Sequence, residues 1–332
     1  MRILIYSQSF APAIGGMESL ARVLAEEFAR LGHRPTVATE TAGQKDFPYP
    51  IVRRPSAFEL LRLARRADVI LSLPLSLKRL PVLAAAGRPV VIAHPIKISP
   101  AGRFDWRAKT KLQIAKRFPG IVPSHYLAEH FPGSVVIGNP YDAATFDLGR
   151  SNPKAKRGGI VHAGRLIPGK GAQVLIDAFA RIAAKFPDEQ LTIIGEGPAR
   201  PTLEALIARH GLGDRVKLVG ERQPAAVAPL LAQARIMAVP TLDEEAFGIV
   251  ALEGLASGCR LIVANLGGLP EATGNLALTH APGDEVGLAR CISAVLSEEA
   301  PPPSAAALET HLARFTPEAV ATRYIKLFEG LS

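Results

Sequence analysis

The sequence predicts an α/β protein built of two doubly wound domains, each with a parallel sheet covered by helices on both faces. Short apolar runs rich in β-branched residues alternate with longer amphipathic runs along the chain, which is the pattern of repeated βαβ units. Some short runs are apolar at every position, as in 90–93 (Val-Val-Ile-Ala), and this indicates a sheet buried on both faces. The alternation occurs twice, on either side of a polar stretch.

The first series of elements predicts a domain over residues 1–147. The run 16–31 places Leu20, Val23, Leu24 and Phe28 on one face of a helix. The strands of this domain are predicted at 2–6, 35–39, 68–72, 89–93, 120–122 and 135–137.

The second series predicts a domain over 159–314, which follows an interdomain linker at 148–158 that is rich in Gly, Pro, Lys and Arg. Its strands are predicted at 159–163, 190–194, 216–219, 235–239 and 260–263, and its helices at 171–185, 199–210 and 248–257. Thr316-Pro317 supplies an N-cap and a first-turn proline for a last helix. We expect residues 315–332 to return to the first domain, and the two domains to face each other across a cleft that binds the ligand.

Composition and cysteine usage indicate a globular protein of a reducing compartment. Cys259 and Cys291 lie in unrelated segments without the spacing of metal ligands or of a disulfide framework. The first apolar run, 2–6, is too short for the core of a signal peptide, and no run approaches the ~18 apolar residues of a membrane span. We therefore expect a cytoplasmic protein, with a peripheral place on the inner face of the membrane left open.

The positive charge of the chain is concentrated in its first half. Residues 1–150 hold 21 Lys and Arg against 11 Asp and Glu, whereas the remainder holds 18 against 19. The sequence has no helix-turn-helix, zinc knuckle or interleaved basic and aromatic pattern that would indicate nucleic-acid binding. Two interpretations stay open: a surface that faces an anionic lipid or acceptor, and a solvated basic face without a partner.

Two glutamates flank the start of a predicted helix in the second half. Phe247-Gly248 predicts that the helix begins near Gly248, which leaves Glu245 in the preceding loop and Glu253 inside the helix. The free amides of Gly248, Ile249 and Val250 would then bind phosphate oxygens at the helix N-terminus, while the two carboxylates accept hydrogen bonds from hydroxyls. The alternative is a pair of ordinary surface acids.

A second motif, 164–171 (Gly-Arg-Leu-Ile-Pro-Gly-Lys-Gly), follows a strand and precedes a helix. It places Arg165 and Lys170 at the carboxyl end of the strand, where two cations neutralise a departing diphosphate. The segment also matches a P-loop up to its last position, but a P-loop requires Ser or Thr where this chain has Gly171. The sequence therefore argues against a nucleoside triphosphatase.

Two weaker glycine motifs and one histidine also lie at predicted strand ends. Gly15 and Gly16 separate the first strand from the first helix, and Gly267-Gly268 follows a strand of the second domain. Paired glycines allow a ligand to approach the backbone closely, although neither pair forms the dinucleotide fingerprint of an NAD enzyme. His94 ends the strand 89–93, where a structural histidine and an acceptor-site histidine are both open interpretations.

Taken together and in this order, these motifs resemble the GT-B glycosyltransferases of the retaining family four, the glycosyl transferases group 1. Gly15-Gly16 matches the glycine loop of that family, 164–171 its basic donor motif, 245–253 its paired-glutamate motif and 268–271 the loop that follows. His94 stands where many members have an acceptor-side histidine. The chain departs from the family at Pro140, where Gly is usual, and it lacks the acidic neighbour that some members have after the histidine.

The resemblance implies a retaining, metal-independent hexosyltransferase of glycan biosynthesis that uses a nucleoside-diphosphate sugar as donor substrate, a hydroxyl acceptor and no cofactor. The implied catalytic residues are Arg165, Lys170, Glu245 and His94, and the implied donor-binding residues are Gly15, Gly16, Phe247, Gly248, Ile249, Val250 and Glu253. Residues 103–118 combine basic and apolar side chains, which suggests an acceptor held at an anionic membrane surface. A solvated helix with a core face is the alternative interpretation of this segment. A sugar-nucleotide epimerase or phosphorylase and a non-catalytic relative remain alternatives.

Overall fold

A computed structural model describes residues 1–12, 16–43, 46–94, 106–147 and 157–331, with the side chains of 106–108 left out. The chain divides into two compact units. Unit 1 comprises Met1–Pro140 together with Phe315–Ser332, and unit 2 comprises Tyr141–Arg314. The final segment of the chain therefore belongs to the first unit.

Unit 1 contains a seven-stranded parallel sheet of order β3-β2-β1-β4-β5-β6-β7. The central strands are almost wholly buried, as the continuous apolar runs predict. The strands are β1 (Arg2–Ser7), β2 (Arg34–Thr39), β3 (Ile51–Arg53), β4 (Val69–Leu73), β5 (Val90–Ala93), β6 (Gly120–Val122) and β7 (Val135–Val136).

The helices of unit 1 are α1 (Gly16–Arg30), α2 (Ala57–Arg66), α3 (Leu80–Ala84), α4 (Trp106–Ala115), α5 (His125–Ala128) and α14 (Pro317–Glu329). The predicted apolar face of α1 buries Leu20, Leu24 and Phe28 completely. The ring of Phe28 lies 5.9 Å from that of Phe328, so α14 packs against α1 and completes the core of unit 1.

Unit 2 contains a six-stranded parallel sheet of order β10-β9-β8-β11-β12-β13. The strands are β8 (Ile160–Ala163), β9 (Leu191–Ile194), β10 (Val216–Leu218), β11 (Ile236–Val239), β12 (Arg260–Ala264) and β13 (Leu278–His280). The helices are α6 (Ala143–Phe146), α7 (Ala172–Ile182), α8 (Arg200–Arg209), α9 (Pro224–Gln233), α10 (Ile249–Ala256), α11 (Leu269–Thr273), α12 (Glu285–Leu296) and α13 (Ala305–Ala313). This strand order is that of a Rossmann domain, with its switch point between β8 and β11.

The structure corrects the predicted elements in two places. Two edge strands of three residues, β3 and β13, were not predicted, because three residues carry too little periodicity to be recognised. The first unit ends at Pro140 and not at 147, since the Phe146 carbonyl accepts a hydrogen bond of 3.2 Å from the Ser257 hydroxyl and α6 packs on α9 and α10. Most of the predicted linker lies outside the described residues.

Candidate functional site

In unit 2, the predicted donor residues lie on loops at the carboxyl edge of the sheet. The β8–α7 loop (164–171) carries Arg165 and Lys170, and the β11–α10 loop (240–248) carries Glu245. Because β8 and β11 are neighbours and run parallel, these loops leave the same edge at the point where the strand order reverses. Ligands of doubly wound folds bind at this point.

The two loops are tied together through a single carbonyl group. The Gly169 oxygen accepts hydrogen bonds from the amides of Leu242 (2.8 Å) and Asp243 (3.1 Å) and from the hydroxyl of Thr241 (2.8 Å). Thr241 is completely buried. These bonds fix the distance between the loop that carries the cations and the loop that carries the carboxylate.

Glycine is required where the loops approach each other most closely. Gly171 adopts the left-handed conformation (φ 72°), and a Cβ atom there would collide with the carbonyl of Pro240. A Cβ on Gly169 would meet the carboxylate of Asp243, a side-chain end that can move away. Gly171 is thus the glycine of the basic motif that loop packing requires, and the structure gives a physical reason for a residue that the sequence presented only as part of a pattern.

Lys170 and Glu245, which are far apart in the sequence, form an ion pair. Their side chains are only 25% and 22% exposed, so the pair is partly shielded from solvent. Arg165 lies on the same loop as Lys170 and is exposed, and its guanidinium makes no hydrogen bond or ion pair with any described residue. The structure therefore brings Lys170 and Glu245 together and leaves the guanidinium of Arg165 available.

The loop after β12 supports Glu245 from its other side. The amide of Gly268 donates a 2.7 Å hydrogen bond to the carbonyl of Glu245. Gly267 has a φ of 63°, and a Cβ atom on it would collide with the same carbonyl. The weak glycine motif at 267–268 is therefore part of the candidate site, because it seats the backbone of Glu245.

Helix α10 begins where the sequence predicts. Gly248 caps it in the left-handed region (φ 98°), and a Cβ there would collide with Leu269. The amides of Gly248, Ile249 and Val250 donate no hydrogen bond among the described residues, as expected for the first turn of a helix. Phe247 was predicted to bind the donor. Its side chain is buried, so a donor at the helix start could contact only its backbone.

Glu253 lies inside α10 and differs electrostatically from Glu245. Burial, together with the nearby carboxylate of Asp142, raises the pKa of Glu253 to about 7. The structure shows no contact of Glu253 with Lys170 or Glu245. Glu253 is thus a carboxyl group in a poorly solvated position that is close to half protonated at neutral pH.

Sequence reasoning overlooked His162, which lies beneath the basic loop. Its Nδ1 donates a 3.0 Å hydrogen bond to the Ala238 carbonyl, and its buried Nε2 has no partner. Burial and the charge of Lys170 both lower its pKa, so the ring is neutral and Nε2 carries a lone pair. The overlooked signal is a polar residue inside an otherwise apolar strand.

Across the described ranges, no cluster of three or more His, Cys, Asp or Glu side chains is arranged to hold a metal ion.

In unit 1, His94 lies at the carboxyl end of β5 and is 3% exposed. Its ring stacks on Phe131 with 4.0 Å between centroids. Burial, with a smaller effect of Lys111, lowers its pKa to about 4, so the ring is neutral at physiological pH. Gly16 is the first residue of α1, with open space where a Cβ would be, and Gly15 lies outside the described residues.

A charged network that the sequence did not reveal ties the carboxyl edge of unit 1. The guanidinium of Arg79 donates two hydrogen bonds to Glu40, at 2.8 and 3.2 Å, and the hydroxyl of Tyr6 donates a third at 3.1 Å. These bonds lower the pKa of Glu40, with Arg79 as the main cause. The network joins the ends of β1 and β2 to the segment after β4.

The segment 103–118, predicted to contact a membrane, falls partly outside the described residues. Its described apolar side chains, Leu112, Ile114 and Phe118, are partly buried. None of the described helices combines the length and the apolar character that crossing a bilayer requires.

The two Rossmann-like sheets define the class of this protein as a GT-B fold. Solved structures of Anabaena HepE in complex with UDP superpose with a TM-score of 0.83 over 100% of both chains, at 23% sequence identity. Sucrose-phosphate synthase from Thermosynechococcus elongatus superposes with a TM-score of 0.73 over 99% of this chain and 98% of that chain, at 21% identity. At these identities the likeness establishes the fold.

A family model matches most of unit 2. Residues 157–298 match the model of the family described as Glycosyl transferases group 1. The glycogen synthase of Mycobacterium tuberculosis (strain H37Rv) is 34% identical over 167 residues, which are 50% of this chain and 40% of that protein. The D-inositol 3-phosphate glycosyltransferase of Corynebacterium glutamicum (strain R) is 39% identical over 37% of this chain and 32% of that protein. The matched region thus spans less than half the length of these relatives.

Proposed function

We propose that this protein is a glycosyltransferase that moves a hexose from a nucleoside-diphosphate sugar to a hydroxyl group. The observation that carries the proposal is the pairing of Lys170 with Glu245, on a loop that also carries the exposed Arg165, at the switch point of a Rossmann sheet. Cations at this edge suit a diphosphate, and a carboxylate held beside them suits the hydroxyls of the attached sugar.

The relatives favour a sugar nucleotide as donor and a glycan or lipid as acceptor. HepE, whose fold this chain shares, has been solved with UDP and with UDP-glucose. One relative is a GDP-mannose-dependent mannosyltransferase acting on a phosphatidylinositol monomannoside, 34% identical over 47% of this chain. We propose UDP and GDP sugars as the first donors to test, and an acceptor that belongs to a cell-envelope glycan or is linked to a lipid.

We propose that the sugar is transferred with retention of configuration. The bond between the anomeric carbon and the β-phosphate oxygen breaks while the acceptor oxygen bonds to the same face of that carbon. The acceptor proton moves to an oxygen of the departing diphosphate. Arg165, Lys170 and the amides at the start of α10 stabilise the negative charge that develops on the leaving group, so we propose that transfer needs no metal ion.

The remaining predicted residues orient the reactants. Glu245 accepts hydrogen bonds from the sugar ring, and it exchanges its ion pair with Lys170 for these bonds when the donor binds. Glu253 accepts a hydrogen bond from the ribose. His94 is neutral, so it acts through hydrogen bonds of its ring nitrogens to the acceptor or the sugar. We propose that the enzyme acts in the cytoplasm.

A ligand screen followed by two variants tests the proposal. Thermal shift with UDP, GDP, ADP and their sugars identifies the donor, because a ligand that binds the folded state raises the melting temperature. Arg165→Ala and Lys170→Ala should then each lower turnover roughly 100-fold, the typical effect of removing one charge stabiliser. Arg290→Ala and Lys217→Ala remove exposed cations elsewhere in unit 2 and serve as matched controls.

Three outcomes would contradict parts of the proposal. Near-normal turnover in Arg165→Ala or Lys170→Ala would show that the substituted cation does not stabilise the leaving group. Release of free sugar or a rearranged nucleotide sugar at the full rate without acceptor would indicate a hydrolase or an epimerase. Inversion of the anomeric centre, measured by the proton coupling constant of the product, would exclude retention. Loss of activity after chelation of metal ions would show that transfer needs a metal.

A further inference from the structure

We propose that the carboxyl edge of unit 1 carries a membrane-docking rim that rests on an anionic bilayer. The rim consists of two exposed apolar side chains, Phe58 and Leu77, and three exposed cations, Arg54, Arg62 and Lys78. The inference deepens the proposed function and rests on it in one respect, since a bilayer is useful to the enzyme only where the acceptor is linked to a lipid.

The two apolar side chains are unusual for their exposure. Phe58 is 78% exposed and Leu77 is 41% exposed, and only Val135 and Val286 join them as exposed large hydrophobic residues in the described ranges. Burying an exposed phenylalanine in an apolar medium is among the larger favourable contributions that a single side chain makes. A single exposed apolar side chain is common on protein surfaces, but two at one edge of a sheet, with cations between them, form a candidate contact surface.

The topology places Phe58 and Leu77 at the same edge of the sheet. Phe58 lies in the first turn of α2, just after the carboxyl end of β3, and Leu77 lies in the turn after the carboxyl end of β4. All strands of this sheet are parallel, so both residues lie at the edge that also holds His94. Helices α2 and α3 pack on each other, which keeps the two segments adjacent.

The charged network at this edge joins the two segments directly. Arg79, two residues after Leu77, donates its hydrogen bonds to the carboxylate of Glu40. Arg54, four residues before Phe58, donates a 3.3 Å hydrogen bond to the carbonyl of the same Glu40. The segments that carry Phe58 and Leu77 are therefore both tied to Glu40.

The charge of the rim selects an anionic partner. Glu40 is paired with Arg79, whereas Arg54, Arg62 and Lys78 are exposed to solvent. Arg62 lies one helical turn after Phe58 and on the same face of α2. Apolar side chains interspersed with cations match the interface of a bilayer that contains anionic lipids, where the apolar groups enter the acyl boundary and the cations meet the headgroups.

Vesicle binding tests the rim without knowledge of the substrate. Full-length protein is sedimented with vesicles of phosphatidylcholine alone or with about one third phosphatidylglycerol, at low and high salt. We expect at least ten-fold stronger partitioning onto the anionic vesicles at low salt, and a ten-fold or greater loss in the variant Phe58→Ser/Leu77→Ser. Arg62→Gln/Lys78→Gln should lose most of the preference for anionic lipid.

Val286→Ser is the matched control, because Val286 is an apolar residue of unit 2 with 48% exposure, and it should bind vesicles as the wild type does. All rim variants should keep the wild-type melting-temperature increase with UDP, which separates failure of the rim from failure of the proposed donor site. Wild-type binding by the Phe58→Ser/Leu77→Ser variant, or no binding of the wild type to anionic vesicles, would overturn the inference. If the wild type does not bind anionic vesicles, the rim would instead be expected to contact an acidic protein.

A fluorescent probe gives an independent measurement on folded protein. An environment-sensitive dye attached at Phe58→Cys, in a chain with Cys291→Ser, should shift its emission to shorter wavelength when anionic vesicles are added. The same dye at Val286→Cys should not shift. Equal spectra at the two positions would contradict insertion of the rim even if the protein sediments with vesicles.

Discussion

The two sheets share one strand order through their first six strands, but the loops at their carboxyl edges are held together in different ways. In unit 2 the loops are joined mainly by backbone groups, through the Gly169 carbonyl and through the approach of Gly171 to Pro240 and of Gly268 to Glu245. In unit 1 backbone bonds also occur, but the segments after β2 and β4 are joined by side chains, with Glu40 accepting from Arg79 and Tyr6.

This difference indicates that the loops of unit 2 have a fixed geometry, whereas the edge of unit 1 can accommodate different side chains. Contacts between backbone groups require glycine at a few positions, and they leave the side chains of the loops free for a ligand. Contacts between long side chains can be made by several residue types, and the polar groups that form them are not available to a ligand. We infer that the unit 2 edge binds the invariant part of the substrate, the nucleoside diphosphate, and that the unit 1 edge meets the acceptor.

The largest expected effect comes from adding a single methyl group at Gly171. Gly171→Ala places a Cβ against the Pro240 carbonyl and forces alanine into the left-handed region, so we expect a loss of about 3 kcal/mol in unfolding free energy. Gly211→Ala is the control, because Gly211 has a φ of 65° but open space around its Cβ position, and it should cost only about 1 kcal/mol. If urea denaturation gave the same loss of unfolding free energy for both variants, the two loops of unit 2 would be able to move apart without cost.

The second effect concerns Glu253 and appears as a dependence of stability on pH. Its pKa rises from 4.5 to about 7 on folding, so the folded protein binds a proton that the unfolded chain releases between these values. The contribution of Glu253 to stability is therefore fully present below about pH 4.5 and is lost as the pH rises through 7. Glu253→Gln should stabilise the protein at pH 8 by on the order of 3 kcal/mol relative to the wild type and change little at pH 4.

Asp68 of unit 1 provides the opposite case. Hydrogen bonds from Arg2 lower the pKa of this carboxyl to about 2, so its contribution is present above the ordinary pKa of aspartate and is lost as the pH falls through 2. Asp68→Asn should therefore lower the melting temperature slightly above about pH 4, and its profile should converge on that of the wild type as the pH falls through 2. If Glu253→Gln left the profile unchanged near pH 7, Glu253 would be better solvated than its position in α10 indicates.

The sequence predicted the parts of this molecule that have a local pattern and failed where a partner lies far away in the chain. The central strands and the start of α10 could be predicted because apolar runs and a Phe-Gly boundary are visible within a few residues. The role of Thr241 could not, because its hydroxyl meets an acceptor 72 positions away. The pairing of Lys170 with Glu245, 75 positions apart, was hidden for the same reason.

A smaller effect is expected at Thr241, whose substitution tests whether this residue positions Lys170. Thr241→Val keeps the shape of the side chain but removes its hydrogen bond to Gly169, so the basic loop should shift and turnover should fall roughly ten-fold. Thr241→Ser restores the hydroxyl and should recover most of the activity. A fall in kcat with little change in KM, together with recovery in the serine variant, distinguishes positioning from a general loss of stability. Equal activity of Val and Ser variants would contradict the role.

The smallest effect is expected at the Arg79–Glu40 pair of unit 1, and it bears most directly on the comparison of the two edges. Arg79→Met removes both hydrogen bonds to Glu40, whose side chain is 32% exposed and keeps the Tyr6 hydroxyl. We therefore expect a loss of only about 0.5–1 kcal/mol. A double-mutant cycle with Glu40→Gln isolates the coupling energy, and UDP affinity should be unchanged in all three variants. A ten-fold loss of UDP affinity in Arg79→Met would show that the unit 1 edge also holds the nucleotide, because no loop of unit 2 depends on this pair.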